Sequence, residues 1–318
     1  MDFSYGFRPA KSCHNALERV DYMIKWNQVN FVIDADIEGF FDNMNHKWMI
    51  RMLNERIRDK HLLRLIKRFL KNGYLEKGLE HSPDKGTPQG GVISPVLANI
   101  YLHYVLDLWF TKIVKKHVKG FAGIVRYADD YIICACYQKD AEAILKALKG
   151  RLNKFFLELA EDKTKLIGFG WFARAKALKY GRKAETFDFL GFTHFNDKDR
   201  KGGFRVGRKT VRKRFVVKQR ETYQYLKSVR TIKPELWWQT LSSKLRGHYQ
   251  YYGVSGNYHS IQRFYEETLK GLHKWLNRRS QKKSMNWEKF WLYLERFPLP
   301  KPRIYHNLYL NRSYRGEY

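Results

Sequence analysis

Three aspartates stand where an apolar chain would ordinarily exclude charge. Asp129 and Asp130 are adjacent, between two apolar stretches at 122–127 and 131–137, and Asp36 ends the β-branched run 29–37. An ionised carboxylate among apolar residues is costly unless it is paired or holds a cation. Hard cations such as Mg²⁺ take oxygen ligands from several chain positions. Two such ions roughly 4 Å apart can clamp the attacking and leaving oxygens of an in-line phosphoryl transfer. One acid from a strand end and a pair from a hairpin tip would supply those ligands. A β-turn also tolerates Asp well, so the pair by itself fits a plain turn.

Other chemistries have less support. The eleven histidines include no His-x-x-x-His pair, and none joins the three cysteines (Cys13, Cys134, Cys136) at zinc spacing. Cys134 and Cys136 alternate along a strand and read as small core residues. There is no Gly-x-Ser-x-Gly elbow and no phosphate loop of the Gly-x-x-x-x-Gly-Lys type. The sparse cysteines point to a reducing interior compartment. No apolar run reaches the roughly 18 residues of a spanning helix. The first residues lack the basic-then-apolar layout of a signal peptide.

The charge asks for a polyanion. The 318 residues carry 61 Lys+Arg against 31 Asp+Glu, a net of +30. Residues 201–318 hold 27 of those bases and 7 of the acids, so two thirds of the excess lies there. Five of nine tryptophans share that region. Phosphates reward Lys and Arg by releasing counterions, which makes nucleic acid the first candidate partner. A hydrophobic fraction of 44% excludes a disordered chain.

The elements that must position the acids follow from pattern. The run 29–37 reads as a buried strand, 46–58 and 61–70 as helices, and 92–110 as a long apolar helix. Strands are expected at 122–127, 131–137, 165–169 and 186–192, with an amphipathic helix carrying Ile144, Leu148 and Leu152. The polar stretch 196–203 reads as a turn or linker, and separates an α+β part (1–200) from a basic helical part (201–318). In the latter, Pro234 suits a first helical turn. Three apolar stripes follow: Trp237 to Tyr252, Tyr265 to Leu276, and Trp287, Phe290, Trp291 and Leu294. They read as the core of a small bundle.

A family resemblance rests on six ordered blocks. Tyr127-Ala128-Asp129-Asp130 resembles the Tyr/Phe-x-Asp-Asp box of reverse transcriptases. Ser4-Tyr5-Gly6-Phe7-Arg8-Pro9, Asp36-Ile37-Glu38-Gly39-Phe40-Phe41-Asp42-Asn43-Met44-Asn45-His46 and Gly86-Thr87-Pro88-Gln89-Gly90-Gly91-Val92-Ile93-Ser94-Pro95 resemble blocks of the group II intron type. So do Glu161-Asp162-Lys163-Thr164-Lys165 and Phe189-Leu190-Gly191-Phe192. A looser match at 245–253 resembles the helical thumb, or maturase, domain of that family.

The resemblance implies a right-hand palm with partial fingers over 1–200 and an all-α thumb/maturase domain over 201–318. It aligns Asp36, Asp129 and Asp130 with the catalytic, metal-binding triad, joined by the Ile37 carbonyl. Asp34 and Asp42 fall outside the triad. Phe41 matches the bulky side chain that excludes a ribose 2′-hydroxyl, and Phe40 is placed with it at the nucleotide, although either could be core. Gln89, Gly90 and Arg8 would meet the incoming nucleotide. Pro88, Tyr127, Ala128, Lys163, Leu190 and Gly191 would meet template or primer. Arg8 and Arg126 fit either a phosphate or a carboxylate. Two Mg²⁺ are implied, with Mn²⁺ a substitute, and dNTPs, an intron RNA template, the RNA–DNA duplex and a DNA target primer as partners, in a bacterial cytoplasm.

Two departures qualify the activity. Family members usually carry further residues before the Ser4–Pro9 block that grip template and triphosphate, so the chain is expected to be short at the front. No paired-cysteine His-Asn-His nuclease segment is visible, so second-strand DNA cleavage is not expected. The alternatives are a non-polymerising RNA-binding splicing factor and a defence or diversity-generating reverse transcriptase.

Overall fold

The computed structural model describes residues 1–71, 74–76, 79–81, 85–87, 91–279 and 285–310. They divide into two units, Met1–Leu190 with Phe195–Val206, and Gly191–His194 with Gly207–Leu310.

In the first unit Ser12 starts α1 (Cys13–Trp26) through a reciprocal capping box with Asn15. Then come β1 (Phe31–Ala35), α2 (Phe40–Asn43), α3 (His46–Asn54), α4 (Lys60–Lys71) and the antiparallel pair β2 (Tyr74–Glu76) and β3 (Leu79–His81). The helix expected over 92–110 begins as α5 (Ser94–Leu102). It then runs through two π-helical turns, His103–Asp107 and Phe110–Val114, into α6 (Lys115–His117). The remaining elements are β4 (Ala122–Tyr127), β5 (Asp130–Ala135), α7 (Gln138–Asn153), β6 (Lys165–Gly168), α8 (Ala173–Lys179) and β7 (Phe187–Phe189).

The sheet has the order β4–β5–β1–β6 with antiparallel neighbours. Its middle strands are β-branched and buried, as a strand covered on both faces requires. Ile33, Ala35, Tyr131 and Ile133 pack with Leu97, Tyr101 and Leu102 of α5 and Ile144, Leu148 and Leu152 of α7 in one core. The register sets Ala35 opposite Tyr131, which brings the end of β1 beside the start of β5.

A strand expected over 186–192 is instead two. β7 is followed by Leu190 and Gly191, both with positive φ (49° and 82°), and then by β8 (Phe192–Lys198), its neighbour in the sheet. β8 pairs in turn with β9 (Phe204–Thr210), giving the order β7–β8–β9. The polar stretch before β9 is a hairpin turn: the Asp199 carboxylate accepts the amides of Lys201 and Gly203, and Gly202 supplies a φ of 83°.

Helices α9 (Arg212–Ser228), α10 (Pro234–Tyr252), α11 (Tyr258–Asn277) and α12 (Trp287–Arg296) make up the rest of the second unit. Pro234 stands at the first turn of α10, and Trp237, Leu241, Leu245, Tyr249 and Tyr252 are buried along one face. The stripe on α12 is core in half only. Phe290 and Leu294 are buried, but Trp287 and Trp291 are 44% and 49% exposed. The α+β region followed by a helical C-terminal region is the expected fold class. Among the described residues no helix is long and apolar enough to cross a membrane.

Candidate active site

The β4–β5 hairpin closes on the pair Tyr127–Asp130, leaving Ala128 and Asp129 as a two-residue turn. Ala128 has a φ of 57°, a left-handed conformation that costs a residue with a Cβ roughly 1–2 kcal/mol. Two contacts hold it. Arg126, within β4, is 1% exposed and donates from Nη1 to the Ala128 carbonyl at 2.9 Å. The same nitrogen reaches Asn99 Oδ1 at 2.9 Å, while Nε and Nη2 fork onto Asp107. Gly6 lies against the turn so closely that a Cβ there would stand 2.3 Å from the Ala128 nitrogen. Asn99 ties the Gly6 carbonyl back at 2.8 Å. Arg126 therefore pairs with a carboxylate.

Asp129 and Asp36 face each other electrostatically. Burial pushes the Asp129 carboxyl up, and the negative charge of Asp36 pushes it further. Asp36 is half-exposed and ion-pairs with Lys163 at 3.2 Å. Its carbonyl accepts the Ala160 amide, and the Glu38 amide donates to the Glu158 carbonyl. This bridge around Ile37 and Leu159 brings the Glu161–Lys165 block beside Asp36. It uses the carbonyl of Asp36 rather than that of Ile37.

Asp130 turns elsewhere. Its Oδ2 accepts the Leu190 amide at 3.4 Å, at the turn where Leu190 and Gly191 adopt positive φ. Asp34 also serves that region. Burial and the neighbouring Asp188 carboxylate raise its pKa to about 6, partly offset by Lys165 and by a hydrogen bond from the Asp188 amide.

Phe40 is core, edge-on to Tyr101, whereas Phe41 is half-buried and meets Phe40 at 5.3 Å. The backbone leading to Pro88 is seated on the Phe41 turn: Gly86 donates to the Met44 carbonyl and Thr87 to the Phe41 carbonyl, at 2.7 and 2.8 Å. Gly86 has a φ of 86°, and a Cβ on it would lie 2.7 Å from the Asp42 carbonyl oxygen. His46 reaches the Gly86 carbonyl at 2.6 Å. Pro88, Gln89 and Gly90 lie outside the described residues. Arg8 is exposed and donates to the Met1 carbonyl, and the Tyr127 ring lies 6.5 Å from that of Phe7.

The donor set can be weighed against a divalent cation. Asp36 and Asp129 are a like-charged pair whose repulsion a cation would relieve, and carboxylate oxygen is the ligand that Mg²⁺ prefers. Among the described residues no three acids or histidines converge as a cage. The fit is thus to a two-carboxylate platform.

The model of the reverse transcriptase (RNA-dependent DNA polymerase) family matches residues 1–194. The chain belongs to this family. The match spans all six motif blocks, from Ser4 to Phe192. The Group II intron-encoded protein LtrA of Lactococcus lactis subsp. cremoris is 37% identical over 188 residues, 58% of this chain and 31% of that protein. Protein YkfC of Escherichia coli (strain K12) is 32% identical over 193 residues, 51% of each chain. The chain thus spans between about a third and a half of these relatives. They meet the group II intron resemblance read from the motifs. The telomerase structure from Candida albicans, solved with a fragment of telomeric RNA, superposes with a TM-score of 0.54 over 93% of this chain and 48% of its own, at 12% identity. That likeness concerns the fold alone.

The residues that hold the Ala128 turn were not apparent from the motifs. Asp107 is a lone acid in an apolar helix and Arg126 a lone base in an apolar strand. Two opposite charges in two otherwise apolar elements are the available signal, since buried charges are usually paired.

Proposed function

We propose that this chain is an RNA-directed DNA polymerase of the group II intron type, adding dNTPs to a primer 3′-end on an RNA template. The observation that carries the reading is the convergence of Asp36, at the end of β1, with Asp129, at the tip of the β4–β5 hairpin. A divalent cation held there supplies charge neutralisation and Lewis acidity at a transferring phosphate. Asp36 and Asp129 would be its ligands, with Mg²⁺ the expected ion. Lys163, ion-paired with Asp36 at 3.2 Å, would orient that carboxylate. Arg126 and Gly6 hold the strained turn that presents Asp129. Phe41, a half-buried ring, would discriminate against a sugar 2′-hydroxyl, and the Gly86–Thr87 backbone is held on the Phe41 turn. Asp130 anchors the 189–191 turn, where the family supports the primer end. Residues 201–318, with a net charge of +20, would serve as the thumb/maturase part, gripping the RNA–DNA duplex and folded intron RNA through the backbone.

Primer extension on an RNA template with Mg²⁺ tests the proposal. Incorporation that disappears in Asp129→Asn and Asp36→Asn supports it, since each substitution removes a charged oxygen ligand for the cation. RNA binding without incorporation by the unaltered chain would refute it and favour a splicing factor.

A further inference from the structure

A hollow of about 300 Å³ opens in the first unit among α3, the π-helical segment after α5, and α7. That volume is at the lower end of the range that holds small ligands and suits one nucleoside. Its walls combine aromatic faces with cations. Trp48 and Phe155 meet at 4.7 Å, with Tyr104 beside them. The Arg51 guanidinium stands 5.1 Å from the Trp48 ring centre, and that of Arg151 4.6 Å from Phe155. Lys112 completes a rim of three cations, and Glu55 is the one acid.

Arg151 is built into this wall. Its Nε and Nη2 donate to the carbonyls of Val105 and Tyr104 at 2.9 and 2.8 Å. Those carbonyls belong to the π-helical turn His103–Asp107, and such turns recur at functional sites. The third guanidinium nitrogen has no protein partner among the described residues. No carboxylate pairs with Arg51, Lys112 or Arg151 among those residues either. Three cations facing one acid, around rings tilted at 51°, form a positive aromatic wall that an anion with a flat face would complement.

We infer that this hollow binds an unpaired nucleotide of single-stranded RNA, its base stacked on the Trp48–Tyr104 wall and its phosphates met by Arg51, Lys112 and Arg151. Stacking on aromatic faces with cationic support is the sequence-tolerant mode by which single strands are held. Glu55 gives the ribose 2′-hydroxyl an acceptor, and that hydroxyl separates RNA from DNA. Asp36 and Asp129 do not line this hollow, so it would hold RNA apart from the reacting primer end.

The test uses the full chain with a fluorescent, unstructured 12-nucleotide RNA carrying 4-thiouridine, and the DNA of the same sequence. Photocrosslinks are mapped by mass spectrometry, and affinity is read by anisotropy against salt. The expected crosslinks fall on Trp48 or Tyr104. The double variant Arg51→Gln, Lys112→Gln, both exposed side chains, should weaken RNA binding on the order of tenfold and flatten the salt slope by about one. Primer extension in the same samples should stay unchanged, so the failure of this site and the failure of the polymerase reading are separable. Crosslinks confined to other segments, with affinity unaltered by the double variant, would overturn the inference. DNA bound as tightly as RNA through the same residues would overturn it too, as would a concentration-dependent dimer that the double variant abolishes, which would give the hollow to a second copy of the chain.

Discussion

Arg126 and Asp107 meet through two parallel hydrogen bonds, Nε to Oδ1 at 2.8 Å and Nη2 to Oδ2 at 2.7 Å, with 1% and 2% of their side chains exposed. The fork needs the planar geometry of arginine. Burial alone would raise the Asp107 pKa, but hydrogen bonds from His103 and Arg126 reverse the sign and hold it below its ordinary value. Breaking a buried pair from one side strands the other charge, at about 3–5 kcal/mol. Asp107→Ala should therefore lower unfolding stability by about that amount in urea titrations at pH 7. Arg126→Lys, which keeps the charge and loses the fork, should retain more stability while incorporation drops, because the Ala128 carbonyl loses its donor.

Gly6 touches the Ala128–Asp129 turn without space for a methyl group. Gly6→Ala would drive a Cβ into the Ala128 nitrogen, and neither backbone can yield cheaply. We expect a loss of about 1–3 kcal/mol, with incorporation falling at least tenfold. Melting curves and primer extension on the same sample check both. Unchanged activity would mean that the turn tolerates displacement.

Phe41, half-buried beside the core ring of Phe40, is exposed enough to meet a sugar. Phe41→Ala should raise ribonucleotide incorporation relative to dNTPs by tenfold or more, read on sequencing gels with each nucleotide alone. An unchanged ratio would remove Phe41 from sugar discrimination.

His248 lies stacked on Phe264 at 3.8 Å, in the core of the second unit. Burial, helped by the charge of Lys218, lowers its pKa from an ordinary 6.5 to about 4. The folded state thus holds it neutral while the unfolded chain takes up a proton. Its contribution to stability is full above pH 6.5 and is lost as pH falls toward 4. From pH 7 to pH 5 the unaltered chain should lose about 2 kcal/mol more than His248→Phe, measured by urea midpoints at both values. Equal losses would show that His248 titrates normally.

How much of this could be read from residues alone depended on whether a signal was local. Asp36, the Tyr127–Asp130 turn and the long apolar helix announce themselves within a few positions. So does the turn at 199–203, through Asp199 and its glycines. The break at Leu190 could not be read this way, because a leucine with positive φ defies its own propensity and is fixed by contacts from elsewhere, including Asp130. The divergent paths of the two adjacent acids were also hidden: alternation separates their side chains, but only the fold places the Leu190 amide in front of one of them. Trp287 and Trp291 illustrate the converse, since helical spacing identifies a stripe and not what covers it.

The short parallel bridge between Ser4 and Arg126 has a further effect. On one side β4 pairs with β5; on the other, Tyr5 donates to the Arg126 carbonyl at 2.8 Å and Arg126 to that of Phe3 at 2.9 Å. Those few residues occupy hydrogen-bonding groups that would otherwise be free to recruit a strand from another molecule. A chain trimmed to begin at Phe7 would expose a β-branched, apolar border along the strand that carries Arg126. It would be lost to edge-to-edge aggregation, and a preparation discarded as insoluble would say nothing about its chemistry.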